Sequence, residues 1–436
     1  MPAIRSRRVV TPEGVRPATI HFSDRIERIE PYDATGTDYG DLVIMPGLVD
    51  SHVHVNEPGR TSWEGFETAT RAAAAGGITT IVDMPLNSIP PTTTRAALEA
   101  KVRELQGKCR VDVALWGGVV PGNTAELGPM LEAGARGFKC FLIDSGVEEF
   151  APVNESQLRE AARELAKLNV PLLVHAELPG PIISAAGRIV GTDPADYRSY
   201  LDSRPREAED EAVELLLRVC RDTGVQIHVV HLSSANALET IRRARQSNLP
   251  LSAETTPHYL HLEAERIGHG RNEFKCAPPI REHENRERLW RGLRNGLIDI
   301  VVSDHSPCTP ELKRGHFHSA WGGIASLQFV LPIVWTEARD RGFGFDDLAA
   351  WMSEGPARLA GLETKGSIVA GHDADFVIWS PEQTFTVKEP IIEHRHKVTP
   401  YRGETLAGVV HETWLGGERA FAHGAHEGHA RGRWVR

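Results

Sequence analysis

The sequence predicts an α/β protein: a (β/α)8 barrel of the TIM type, with a small β-sandwich formed by both chain termini. Three observations lead there. Between about residues 48 and 365, apolar β-branched runs alternate with Ala/Glu/Arg/Leu-rich helical stretches. The runs number eight, and eight βα units over roughly 250 residues or more are what a closed parallel barrel requires. The two ends of the chain instead carry short segments of alternating apolar and polar residues, separated by glycines.

The runs lie at 42–44, 78–82, 111–116, 137–142, 170–174, 225–230, 249–253 and 298–302. Near-continuous apolar strands belong to a parallel sheet covered on both faces. Helices are predicted between them over 64–75, 94–105, 155–168, 207–220 and 237–246. Terminal strands are predicted over 18–22 and 25–29, then 375–379, 384–387 and 408–414, with Gly366, Gly371, Gly416 and Gly417 at turns. Chain termini often lie close in space, so the two sets are expected to share one structure. The organisation predicted is 1–47 for the first part of the sandwich, 48–365 for the barrel, and 366–436 for the rest of the sandwich and a tail. The last residues, 420–436, are rich in Gly, His and Arg and are expected to be loosely ordered.

Composition narrows the function. At 436 residues, with 41% hydrophobic and 25% charged residues, the chain can bury a large core unaided. A net charge of −10 without any Lys/Arg-rich run argues against nucleic acid and against an anionic membrane surface. Cys109, Cys140, Cys220, Cys276 and Cys308 are sparse and form no CxxC pair, which predicts a reducing, cytoplasmic setting. The first residues carry charge with no apolar segment after them, so no signal peptide is expected. No apolar run reaches the ~18 residues needed to span a bilayer.

In a barrel of this kind the active-site face lies at the C-terminal ends of the strands. After the first run come Asp50-Ser51-His52-Val53-His54. The fourth run carries Lys139. The fifth ends in His175-Ala176-Glu177, the sixth in His231-Leu232-Ser233-Ser234 and the eighth in Ser303-Asp304-His305-Ser306. His52 and His54, two apart on a strand, share a face. Alone, that pair also fits two surface or core histidines. Joined by His175, His231 and Asp304 it points to a divalent ion such as Zn, which neutral imidazole and carboxylate suit.

Lys139 has two readings: a lysine snorkelling at a strand end, or a lysine carbamate, a carboxylate made by CO2 addition that bridges two metals. A bare ammonium among cations would be electrostatically costly. Asp304 either caps a following helix or, within its polar loop, serves as ligand and base. His228, three before His231, faces the opposite way and reads as structural. His258 stands either behind the ligands or against the substrate. His423, His426 and His429 read as solvated.

These motifs resemble the cyclic amidohydrolases: dihydroorotases, hydantoinases or dihydropyrimidinases, and allantoinases. The likeness spans nearly the whole chain, through Met45-Pro46-Gly47-Leu48-Val49-Asp50-Ser51-His52-Val53-His54, Gly137-Phe138-Lys139, His231-Leu232-Ser233-Ser234, Lys365-Gly366-Ser367-Ile368, Gly371-His372-Asp373-Ala374-Asp375 and Thr399-Pro400-Tyr401-Arg402-Gly403. It implies a barrel with a terminal β-sandwich, and two divalent ions held by His52, His54, Lys139, His175, His231 and Asp304. Within the group, the stretches 54–61, 83–88 and 303–307 are most similar to allantoinases. Dihydroorotases place an Arg two residues after the second His to grip a carboxylate. Here Asn56 stands there, and an amide cannot make that bidentate clamp. Hydantoinases place a Tyr shortly after the bridging Lys; residues 140–144 contain none.

The resemblance implies opening of the hydantoin ring of allantoin to allantoate in purine (ureide) catabolism. Two metals would lower the pKa of a bridging water toward ~7, with Asp304 as general base and then general acid. Substrate contacts are expected from Asn56, Cys276 and Gly322. Cys276 is equally an ordinary buried cysteine, whereas Gly322 lets backbone approach a ligand. Asn87 and Ser306 are further candidates. A homo-oligomer, a tetramer by preference, is expected, with a small cyclic amide as its partner and no nucleic acid or membrane. The alternatives are a hydantoinase or dihydropyrimidinase, and a non-catalytic barrel scaffold.

Overall fold

The computed structural model describes residues 2–436; Met1 lies outside the described residues. Eight parallel strands form the barrel: Leu48–Val53, Ile78–Asp83, Asp112–Leu115 continued by Gly117–Gly118, Phe138–Phe141, Leu172–His175, Ile227–Val229, Leu251–Thr255 and Ile300–Val301. The ring shuts where the last strand meets the first. There the His54 N–H donates to the His305 carbonyl at 2.8 Å, and Val53 bridges His305 in parallel. Every residue of Ile78–Asp83 and Phe138–Phe141 is buried, as strands covered on both faces must be.

The predicted helices form close to their expected bounds, as Phe66–Ala75, Arg95–Leu105, Glu155–Leu168, Glu207–Thr223 and Leu238–Gln246. Local sequence explains one of them fully. Asn154 accepts the Gln157 N–H and the Gln157 side chain answers the Asn154 N–H, a capping box. Leu158, Ala161, Ala162 and Leu165 then make the buried stripe, and left-handed Asn169 ends the helix.

Strands from both ends join one nine-stranded sheet. Phe376–Thr386 pairs with Thr405–Leu415 on one side and Val43–Pro46 on the other, and Val43–Pro46 in turn pairs with Ala3–Thr11. Ile4, Val9, Ile20, Phe22, Ile44, Phe376 and Ile378 form a core of its own. The run 42–44 therefore belongs to this sheet and not to the barrel. The first barrel strand is Leu48–Val53, whose apolar pattern Asp50, Ser51 and His52 break, and it ends just before His54 rather than carrying both histidines.

The tail is ordered, contrary to expectation. Glu418–Ala422 and Ala425–His426 extend the sheet. Val113 donates to the Arg433 carbonyl at 2.9 Å, and Val435 donates back to Val113 at 2.8 Å. Trp434 and Val435 pack against the main and inner cores. His426, expected to be solvated, lies against Phe421 with ring centroids 5.3 Å apart. A few apolar residues inside a polar stretch supply this anchoring, which overall composition hides. Among the described residues, no helix is long and apolar enough to cross a membrane.

Candidate metal centre and active site

The histidines and Asp304 gather at the C-terminal mouth of the barrel. His52 lies on the first strand with His54 just beyond it, Lys139 within the fourth, His175 at the end of the fifth, His231 just past the sixth and Asp304 past the eighth. Two of these strand ends turn sharply: His231 and Asp304 adopt left-handed backbone with φ of 38° and 43°. Such strain in non-glycine residues persists only where the surroundings impose it. His52 Nε2 stands 3.2 Å, and His54 Nε2 3.6 Å, from Asp304 Oδ1. One ligand atom from each of His52, His54 and Asp304 falls within 4.8 Å of the others, so the three can hold a metal ion. Beside them His175 Nδ1 and His231 Nε2 approach to 3.1 Å, a separation that a shared proton or a shared cation accommodates. Lys139 is completely buried, without a hydrogen-bond partner, its Nζ 5.1 Å from the centre of the Phe141 ring.

Carboxylates behind the histidines set their tautomers. Glu254, fully buried, engages His52 Nδ1 and also accepts from His228 Nε2 at 3.0 Å. That leaves His52 Nε2 turned to the mouth. Glu177 meets His175 Nε2 at 2.8 Å, leaving Nδ1 to the mouth, and is itself clamped by Arg204 at 3.1 and 2.7 Å. Such partners orient imidazole ligands and raise their basicity. His228 closes its other nitrogen on Ser252 Oγ at 2.7 Å and faces away from the cluster. Burial holds His54 down to about 4 and drives His231 well below the usual imidazole range. Both are thus neutral, with lone pairs free for a cation. Burial likewise brings Lys139 down to about 8. For Asp304 burial pushes upward, but the neighbouring His52 and the hydrogen bond from His54 outweigh it, and the carboxyl stays ionised.

A cavity of about 430 Å³ opens over this cluster, lined by His52, His54, Lys139, His175, His231 and Asp304 at its floor and by Asn87, Lys275, Ser306, Trp321 and Gly322 among its walls. Gly322, expected among the substrate contacts, lines this cavity, and a Cβ at neighbouring Gly323 would collide with the Ser306 carbonyl. Asn56 does not. Its left-handed backbone (φ 66°) turns the side chain inward, where it donates to the Pro307 carbonyl at 3.3 Å and is 1% exposed. Cys276 is also off the wall. Its carbonyl accepts from Tyr200 Oη at 2.7 Å and its thiol joins the core, while Lys275 and Ala277 on either side line the cavity. His258 is buried beneath, next to Tyr259. Glu254 was missed because the seventh apolar run ends one residue short of it. It occupies the strand end equivalent to those that were read.

The chain has known relatives. The model of the Amidohydrolase family matches residues 43–420. The chain belongs to the amidohydrolase family. Among its relatives, a protein named allantoinase from Streptomyces avermitilis is 50% identical over 97% of this chain and 95% of its own length. A probable allantoinase 2 from Dictyostelium discoideum is 50% identical over 88% of this chain and 79% of its own. A solved L-hydantoinase (dihydropyrimidinase) from Arthrobacter aurescens superposes with a TM-score of 0.91 at 30% identity, over 98% of each chain. The barrel with its terminal β-sandwich is the architecture of this family.

Amidohydrolases are metal-dependent hydrolases, and the residues of this one fit a metal. His52 Nε2, His231 Nδ1 and Lys139 Nζ are buried with no hydrogen-bond partner, an arrangement that costs free energy unless something meets those atoms. The donor set is imidazole and carboxylate, suited to a borderline divalent ion.

Proposed function

We propose that this amidohydrolase is an allantoinase, opening the hydantoin ring of allantoin to allantoate in purine (ureide) catabolism. The observation that carries the reading is the 50% identity, over 97% of the chain, to a relative named allantoinase. The hydantoinase likeness is confined to 30% identity. It favours a second reading, a hydantoinase or dihydropyrimidinase acting on substituted hydantoins or dihydrouracil.

His52, His54, His175, His231, Asp304 and a carbamylated Lys139 would hold two divalent ions, zinc by preference. Carbamylation joins the nitrogen of the neutral Lys139 amine to the carbon of CO2 and releases one proton. That Nζ has no hydrogen-bond partner among the described residues supports it. When bound, the metal pair supplies Lewis acidity that activates water and polarises the scissile carbonyl. Asp304 takes the proton of the attacking water at its carboxylate and delivers it to the ring nitrogen as the C–N bond breaks. The water oxygen ends in the new carboxylate. Glu254 and Glu177 keep His52 and His175 in the tautomers that face the cluster. Gly322 and Ser306 offer backbone and hydroxyl groups to the ring amide from the cavity wall.

The chain is proposed to work as a cytoplasmic homo-oligomer, a tetramer by preference, divided into the units 1–47, 48–365 and 366–436. Its five cysteines, all free and buried, accord with a reducing compartment. The test is initial rate on allantoin, dihydroorotate, dihydrouracil and a 5-alkyl hydantoin, each with metal supplied. Allantoin is expected to be the best substrate. A preference for dihydrouracil or the alkyl hydantoin would install the second reading.

A further inference from the structure

With Asn56 off the cavity wall, another group must meet whatever substituent the substrate ring carries. Lys275 is on that wall. Its ammonium has three donors. One goes to the Ala320 carbonyl, and the Tyr200 ring lies 5.3 Å away from Nζ, near enough for a cation–π contact. No carboxylate among the described residues pairs with it.

The other charges nearby are already engaged. Arg204 gives two nitrogens to Glu177. Lys313, behind the wall, donates to the carbonyls of Lys275, Trp321 and Gly323 at 3.2, 2.9 and 2.6 Å, which fastens the loop carrying Trp321 and Gly322 to the backbone of Lys275. Asp144 accepts the Gly146 N–H at 3.1 Å, and Asp304 faces His52 and His54. Arg204 also lines the wall, but Glu177 offsets its charge; outside the metal cluster, Lys275 is the wall cation that no carboxylate among the described residues offsets. An ammonium so placed favours an oxygen acceptor and disfavours a hydrocarbon.

We propose that Lys275 is a specificity residue that reads the ring substituent, accepting rings that present an oxygen acceptor there and disfavouring alkyl or aryl ones. The acceptor is the carbonyl of a ureido group or the oxygen of a carboxylate. The inference rests on the reading of the site as a cyclic-amide hydrolase, and it gives Lys275 a substrate contact of the kind expected from Asn56.

The experiment compares kcat/KM of the wild type and Lys275→Met on allantoin, dihydroorotate and unsubstituted hydantoin, with metal content and melting temperature recorded for both. Loss of a charged hydrogen bond is expected to lower the allantoin value about 10- to 100-fold, with hydantoin nearly unchanged. Lys275→Arg, which keeps the charge, should recover part of the loss. Equal losses on allantoin and hydantoin, or no loss on either, would overturn the inference while leaving allantoinase activity in place. If the wild type prefers dihydroorotate and Lys275→Met loses that activity selectively, the allantoinase reading falls and the role of Lys275 stands. Should Lys275→Met fail to fold, wild-type inhibition decides. Hydantoin-5-acetate is expected to compete about tenfold more tightly than 5-propylhydantoin, and equal inhibition would refute the proposal.

Discussion

Asp304 faces both His52 and His54 and is held ionised beside them. Asparagine has nearly its shape but cannot take a proton. Asp304→Asn is therefore expected to cut turnover by about 10²–10⁴-fold beyond any metal loss; a fully active variant with metal retained would put the base elsewhere. Lys139→Ala should lose activity and recover some of it with added short carboxylic acids, which can stand in for a carbamate. Failure of every such acid, with the fold intact, would count against the bridge. At this scale the sequence was most legible where chemistry and position coincide: His175, His231 and Asp304 each follow or end an apolar run that forms a barrel strand. It was least legible for Asn56 and Cys276. Whether a loop side chain faces a cavity depends on backbone torsion, such as the φ of 66° at Asn56, which residue type permits but does not dictate.

The elements hold these side chains through buried ion pairs at strand ends. Asp83 accepts the Val55 N–H at 2.8 Å and pairs with Lys101 at 2.6 Å, so it fastens the turn just after His54. Glu209 accepts the Ser233 and Ser234 N–H groups at 2.9 and 3.0 Å and pairs with Arg281 at 2.9 Å, fastening the turn after His231. Both residues of each pair are almost fully buried. Lys101→Met leaves the Asp83 charge alone in the interior. It is expected to cost about 3–5 kcal/mol in urea unfolding, with part recovered by adding Asp83→Asn. A loss under about 1 kcal/mol would mean that Asp83 is not charged in the fold. The sequence read the helices well because their caps and apolar stripes are local. It misplaced the bounds of the first barrel strand for the opposite reason: functional residues occupy Leu48–Val53 itself and break its apolar pattern, and pairing with Ile78–Asp83 fixes where it runs.

Across the whole molecule, buried histidines make the fold sensitive to acid. His258 and His394, outside the candidate ligands, are buried with both ring nitrogens unpartnered, and burial lowers them to about 4 and about 3. An unfolded chain takes up a proton at each near 6.5. Below that pH the unfolded state binds more protons, so the stability present above about 6.5 is lost as pH falls toward 4. His394→Leu should therefore lose less of its urea midpoint between pH 7 and pH 5 than the wild type does; an identical slope would exclude His394 as a source.

Composition could indicate that the chain folds without staples, but not that its tail lies along the barrel strand Asp112–Leu115, because that contact depends on tertiary placement of Trp434 and Val435. The central claim is a two-metal hydrolase of allantoin, and one titration tests it most directly. Protein stripped by a chelator is titrated with zinc in the presence of bicarbonate while allantoin opening is followed. The rate should rise from near zero and level off at about two equivalents per chain. Full activity in the stripped protein, or no allantoin opening at any metal loading, would contradict it.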